Sequence, residues 1–167
     1  MDIKELIQKM NEFLDKEVVL EGWVKNHRKQ KTIGFIEFND GTCQKSIQLV
    51  YDDNNSDFEN ISKIKIGSAL KVNGLLRKSD GAGQDYEVLI NSIEILGNCS
   101  DDFPLQAKGR PTREFLRSNA YLRPRTNLFR AVFRVRSVAA HAIHSYFEKN
   151  NYIYFNSPII TGDDCEG

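Results

Sequence analysis

Two short apolar runs place an aromatic ring beside a carboxamide. In Ile33–Phe38, Ile36 and Phe38 share one face of an alternating strand, while Ile33, Phe35 and Glu37 share the other. In Ile47–Tyr51 the same parity sends Ile47 and Leu49 inward and leaves Ser46, Gln48 and Val50 on the side of Phe35. An outward ring can stack on an unpaired nucleobase, worth about 1–3 kcal/mol, and a neighbouring amide can tell donors from acceptors on a base edge. The adjoining polar segment Asn26–Thr32, with Lys25 before it, offers Lys25, His27, Arg28, Lys29 and Lys31 to phosphate oxygens. A second reading of the same residues is that Phe35 caps an apolar patch, Gln48 is hydrated and the charged loop simply faces water.

Other clusters carry less chemistry. Gly81-Ala82-Gly83 resembles a phosphate cradle in composition, but a strand follows it where a helix N-terminus would be needed, so it reads as a hairpin tip. His141 and His144 lie three apart on a helix, yet no cysteine or third histidine joins them and Glu148 is a solitary carboxylate, so they read as structural or surface residues. Asp163-Asp164-Cys165-Glu166 could hold magnesium or an ammonium group, and reads as a solvated loop. Cys43, Cys99 and Cys165 are more than 50 residues apart and form no C-x-x-C pair, so ordinary reduced thiols are expected. No serine or cysteine has a credible base nearby in sequence, and no complete catalytic apparatus is visible.

Composition narrows the class. The chain has 167 residues, 40% of them apolar, and 23 basic and 23 acidic groups. That suffices for one globular domain and a remainder; disorder, collagen and coiled coil are excluded. No apolar run reaches the roughly 18 residues of a membrane span, and the amino terminus lacks the regions of a leader peptide, so no membrane partner and a cytoplasmic location are expected. The zero net charge is uneven: residues 1–107 carry 13 basic and 18 acidic groups, residues 108–136 carry 9 and 1, and residues 137–167 carry 1 and 4. Eight of the nine central cations are arginine, whose planar fork suits phosphates and carboxylates, and an anionic partner is implied.

The elements that must position these residues follow from periodicity. Asp2 and Glu5 form a capping box ahead of Ile3, Leu6, Ile7, Met10, Phe13 and Leu14, predicting a helix within residues 1–15. From Lys16 the period becomes two, with Val18, Leu20, Gly22 and Val24 opposite Val19, Glu21, Trp23 and Lys25. Strands Ile33–Phe38 and Ile47–Tyr51 follow, then a short helix within residues 52–66, then strands Ala69–Arg77 and Tyr86–Leu96. Five strands with a helix between the third and fourth predict a mainly β fold, an oligonucleotide-binding (OB) barrel over residues 16–97. Residues 98–126 lose periodicity, carry Pro104, Pro111 and Pro124, and read as a basic linker. Thr126 caps a long helix with stripes Leu128, Val132, Val135, Ala139, Ala142, Tyr146 and Phe129, Phe133, Ile143, Phe147, followed by an expected strand Tyr152–Phe155. So apolar a helix has too little partner surface here, and the expectation is a chain that ends inside a second domain, 127–167.

Three runs carry a family likeness: Phe115-Leu116-Arg117, Leu122-Arg123-Pro124-Arg125-Thr126-Asn127 and Val132-Phe133-Arg134-Val135-Arg136, with Thr161-Gly162-Asp163-Asp164-Cys165-Glu166-Gly167 at the end. With them the chain, from about Glu17 onward, resembles the asparaginyl-tRNA synthetase family, class II aminoacyl-tRNA synthetases of the aspartyl-like subgroup. The resemblance implies that the barrel binds a tRNA anticodon, GUU for asparagine, with Phe35 stacking on a base, Gln48 reading the same triplet, Arg28 a basic residue of the first loop and Glu87 a carboxylate nearby. It also implies that the last helix, its strand and Pro158 form the first class II signature and a homodimer interface within residues 127–158, with Phe129 and Phe133 in it, and that Glu166 holds the ammonium group of the amino acid. The family makes an asparaginyl adenylate from ATP with magnesium, then charges the tRNA. Its second and third signatures do not match within residue 167, so binding without catalysis is expected of this chain, and neither ATP nor magnesium is expected on it. Two other readings stay open: a non-catalytic single-strand binder, and an interaction protein dimerising through residues 127–150.

Overall fold

The computed structural model describes residues 1–79, 81, 83–106, 111–158, 160 and 162. It divides the chain into two compact units, Met1–Arg125 and Thr126–Gly167.

Five strands form a closed barrel in the order β1-β2-β3-β5-β4: β1 (Glu17–Lys29), β2 (Ile33–Asn39), β3 (Ile47–Asp52), β4 (Ala69–Lys78) and β5 (Tyr86–Gly97). All neighbours are antiparallel except β3 and β5, whose parallel pairing closes the barrel. Alternation sets what fills it: Val18, Leu20 and Val24 of β1, Ile36 and Phe38 of β2, and Leu49 of β3 are buried. Each such side chain contributes about 1.5–3 kcal/mol by leaving water. Trp23, of opposite parity, is exposed, and the Arg125 guanidinium lies 4.8 Å from its ring centre. At least one arginine of the basic stretch is thus spent on the barrel itself.

The expected first helix is two, α1 (Ile3–Gln8) and α2 (Met10–Phe13), meeting at Lys9. Asp2 caps α1 through Glu5 N at 2.6 Å. The Asp40 carboxylate accepts from Ile3 N at 2.7 Å and the Thr42 hydroxyl from Lys4 N at 3.1 Å. These bonds press Ile3 and Leu6, both wholly buried, against the barrel core. α3 (Phe58–Ser62) occupies only part of the span expected to be helical and contributes Ile61 to the core.

Two expectations need correction here. The stretch Asn26–Lys29 is not loop: after a register shift between Val24 and Asn26, β1 continues, pairing Arg28 with Phe35 and Lys29 with Gly34. A bulge in the strand hides the period of two that marks the first half. The linker likewise holds structure, a helix α4 (Arg113–Ser118) capped by Thr112 and a 3-10 turn Ala120–Arg125 that accommodates Pro124.

In the second unit α5 (Asn127–Lys149) starts where expected, the Thr126 hydroxyl accepting from Phe129 N at 3.4 Å. Its apolar stripes are open: Val135 is 68% exposed, Ile143 59% and Tyr146 64%. The strand expected at Tyr152–Phe155 is absent; that segment is irregular and its side chains are exposed. Extended residues become a strand only when a neighbour takes up their backbone hydrogen bonds, and the described residues beside it offer none in sheet form.

Candidate nucleic-acid interface

Register builds one cross-strand row on the outer wall: Arg28 opposite Phe35, Phe35 opposite Val50, Val50 opposite Leu89. Phe35 is half-buried and faces away from the core that holds Ile36 and Phe38. The Arg28 guanidinium lies 5.6 Å from the centre of its ring, a cation–π distance. Val50 has the expected outward parity but is 1% exposed.

The neighbouring row pairs Asn26 with Glu37 and Glu37 with Gln48. Gln48 is half-buried, and its amide nitrogen lies 3.5 Å from Glu87 Oε2. Glu87 is 5% exposed, and both its oxygens are engaged: Arg77 donates to Oε1 at 2.9 and 2.8 Å, and the Ser79 hydroxyl to Oε2 at 2.9 Å. The four residues named from sequence, Arg28, Phe35, Gln48 and Glu87, therefore lie on adjacent strands of one wall.

Arg77 and Ser79 escaped the sequence reading. The signal was present, because β4 and β5 flank one tip and Arg77 and Glu87, directly opposite in register, are equidistant from it. Glu37 is a second such case, held by Lys25 Nζ at 2.9 Å and the Ser46 hydroxyl at 2.9 Å.

Two of the five cations expected to meet phosphates are committed elsewhere. Lys25 is the partner of Glu37. His27 turns inward, its Nδ1 2.9 Å from the Ile64 carbonyl and its Nε2 2.8 Å from the Tyr51 hydroxyl. A carbonyl only accepts, so Nδ1 carries the proton and Nε2 accepts from Tyr51. Arg28, Lys29 and Lys31 remain on the exposed surface.

Burial lowers the His27 pKa below its ordinary 6.5, with nearby Lys29 acting in the same sense and the Ile64 carbonyl opposing both. The unfolded chain then binds the proton more readily than the folded one, so stability falls as pH drops below the unfolded value and is unaffected well above it. A melting temperature that is level above about pH 7.5 and declines between about pH 7 and 5 is expected, and His27→Gln should flatten that decline. Carboxylates give way lower: Asp40 has its pKa depressed because the hydrogen bonds it accepts outweigh its burial. An unchanged slope in His27→Gln would show the ring to be no part of the effect.

Among the described residues no three His, Cys, Asp or Glu side chains come together to hold a metal. Cys43 and Cys99 are free thiols. Phe129 and Phe133 stack on α5 with centroids 5.9 Å apart, and Pro158 is exposed. Glu166 and the acidic run around it lie outside the described residues.

The OB-fold nucleic acid binding domain family, a tRNA anticodon class, matches residues 18–96. Asparagine–tRNA ligase of Clostridium kluyveri is 46% identical over 165 residues, 99% of this chain and 35% of that protein. That of Desulfitobacterium hafniense is 48% identical with the same coverage. The crystal structure of asparaginyl-tRNA synthetase from Pyrococcus horikoshii superposes with a TM-score of 0.77 over 90% of this chain and 36% of that one, at 24% identity. The aspartyl-tRNA synthetase of Entamoeba histolytica shares the fold at a TM-score of 0.77, over 95% of this chain and 39% of that one, at 15% identity. The chain spans about a third of the length of the relatives it matches, and over that span it belongs to the asparagine–tRNA ligase family.

Proposed function

We propose that the chain supplies the anticodon-reading part of an asparagine–tRNA ligase, whose whole reaction joins asparagine to its tRNA with ATP through an asparaginyl adenylate. In this reading residues 16–97 bind the anticodon loop of an asparagine tRNA bearing GUU, residues 98–126 are a hinge, and residues 127–167 open the catalytic domain. The observation that carries it is the outer row of the barrel, with Arg28 over Phe35 and Gln48 beside them. Phe35 offers a stacking face, Gln48 an amide for a base edge, and Arg28, Lys29 and Lys31 charge for the backbone. Glu87 belongs to the same patch. The open apolar face of α5, with Phe129 and Phe133, and Pro158 would receive a second copy of the chain. Glu166 would meet the ammonium group of the amino acid. ATP and magnesium would serve the adenylation step of the whole ligase, and no part of that step is given to the described residues.

The test is fluorescence anisotropy with RNA stem-loops. A GUU loop should bind about tenfold or more tightly than loops with the middle base changed, a difference of about 1.4 kcal/mol. Equal affinities, with a steep salt dependence, would instead mark a sequence-blind single-strand binder.

A further inference from the structure

We infer that Arg77 and Ser79 are positioning residues for base reading: through the buried carboxylate of Glu87 they hold the Gln48 amide nitrogen inward and its oxygen outward, so that the wall favours a base with a ring N–H. The inference rests on the reading above and names the chemistry of what Gln48 selects.

An amide side chain can present either end, and a surface glutamine presents both. Gln48 is only half-exposed, and its nitrogen is directed at Glu87 Oε2, 3.5 Å away. An ionised carboxylate only accepts, so the amide end that faces Glu87 must be the donor. Glu87 in turn has no freedom to turn away. It is 5% exposed, two nitrogens of Arg77 converge on Oε1, and the Ser79 hydroxyl occupies Oε2 together with Gln48. Arg77 faces it across the β4–β5 ladder, and Ser79 follows at the start of the hairpin loop, where Ser79 N donates to the Asp85 carbonyl. Two donors on the far side thus keep the carboxylate oriented, and the amide follows it.

The consequence concerns hydrogen-bond polarity. An outward amide oxygen accepts, and on the Watson–Crick edge uracil and guanine carry an N–H where cytosine and adenine carry a lone pair. Replacing uracil by cytosine in the loop sets two acceptors against each other, the arrangement that such a site rejects most strongly. A carboxylate so deeply buried and fully bonded has little surface left for a base of its own, so its part in reading is exerted through Gln48.

The chain is titrated with a GUU stem-loop and with loops in which each uracil in turn is replaced by cytosine. The wild-type chain should show a preference for uracil of about tenfold at one position. Glu87→Gln puts an amide in place of the carboxylate, which can donate as well as accept and so lets the Gln48 amide turn; the preference should fall to about twofold while the uracil loop still binds. Ser79→Ala, at the edge of the loop, should weaken the preference in the same direction, and Arg77→Lys, which keeps the cation, should restore more of it than Arg77→Gln. Circular dichroism on each variant separates a lost preference from a lost fold. Full preference in folded Glu87→Gln and Ser79→Ala overturns the inference and leaves the reading of the wall standing. Absence of any preference in the wild type overturns both.

Discussion

Phe35→Ala should weaken binding of the chain to a GUU stem-loop by about 1–3 kcal/mol, roughly 5- to 150-fold, while the barrel stays folded. The ring stands on the solvent side of β2, outside the core formed by Ile36 and Phe38. Its loss therefore removes a stacking platform and one cation–π contact with Arg28, the latter worth about 0.5–1 kcal/mol at such a site. Stability should fall by no more than that contact and a little half-buried area. Phe35→Tyr keeps the ring and should bind close to wild type, whereas Phe35→Leu keeps apolar area without a π face and should resemble alanine. Anisotropy titrations paired with thermal melts give both quantities. Wild-type affinity in a folded Phe35→Ala would remove the stacking role and leave the row with charge only.

Parity made the outward row of the barrel wall legible before any coordinates. The period of two in Ile33–Phe38 and Ile47–Tyr51 is set by burial of Ile36, Phe38, Ile47 and Leu49, and once those are inside, Phe35 and Gln48 have nowhere else to point. The long helix and its Thr126 cap are legible for the same reason: local rules decide them. What escaped depends on register between strands. The bulge near Lys25 carries β1 on to Lys29 and turns His27 inward, and no local pattern announces it. The partners of Glu37 and Glu87 come from neighbouring strands or the loops beside them, so they emerge only when the ladders are aligned. The expected strand Tyr152–Phe155 fails on the opposite ground, since its local pattern is adequate but no paired strand is there to complete it.

Gly34→Ala should cost the barrel about 3 kcal/mol, the upper end of ordinary overpacking. Gly34 faces inward opposite Tyr51, and a Cβ built on it runs into the Tyr51 ring and hydroxyl. The ring cannot step aside. Tyr51 is 1% exposed, Phe58 packs 5.4 Å from it centre to centre, and its hydroxyl is tied to His27 at 2.8 Å. The collision is thus transmitted to β1 through His27, or to β2 by displacing Gly34 itself, and β2 carries Phe35 one residue on, next to Arg28 of β1. A methyl group added inside the barrel should therefore lower affinity for the stem-loop as well as stability, although it touches no nucleotide. Urea unfolding of Gly34→Ala, Tyr51→Leu and the double variant checks the mechanism: if the tyrosine ring is the obstacle, shrinking it offsets part of the alanine cost, and the double variant loses clearly less than the two singles together. Additive losses would place the strain elsewhere in β2 and separate the glycine from the Tyr51–His27 pair.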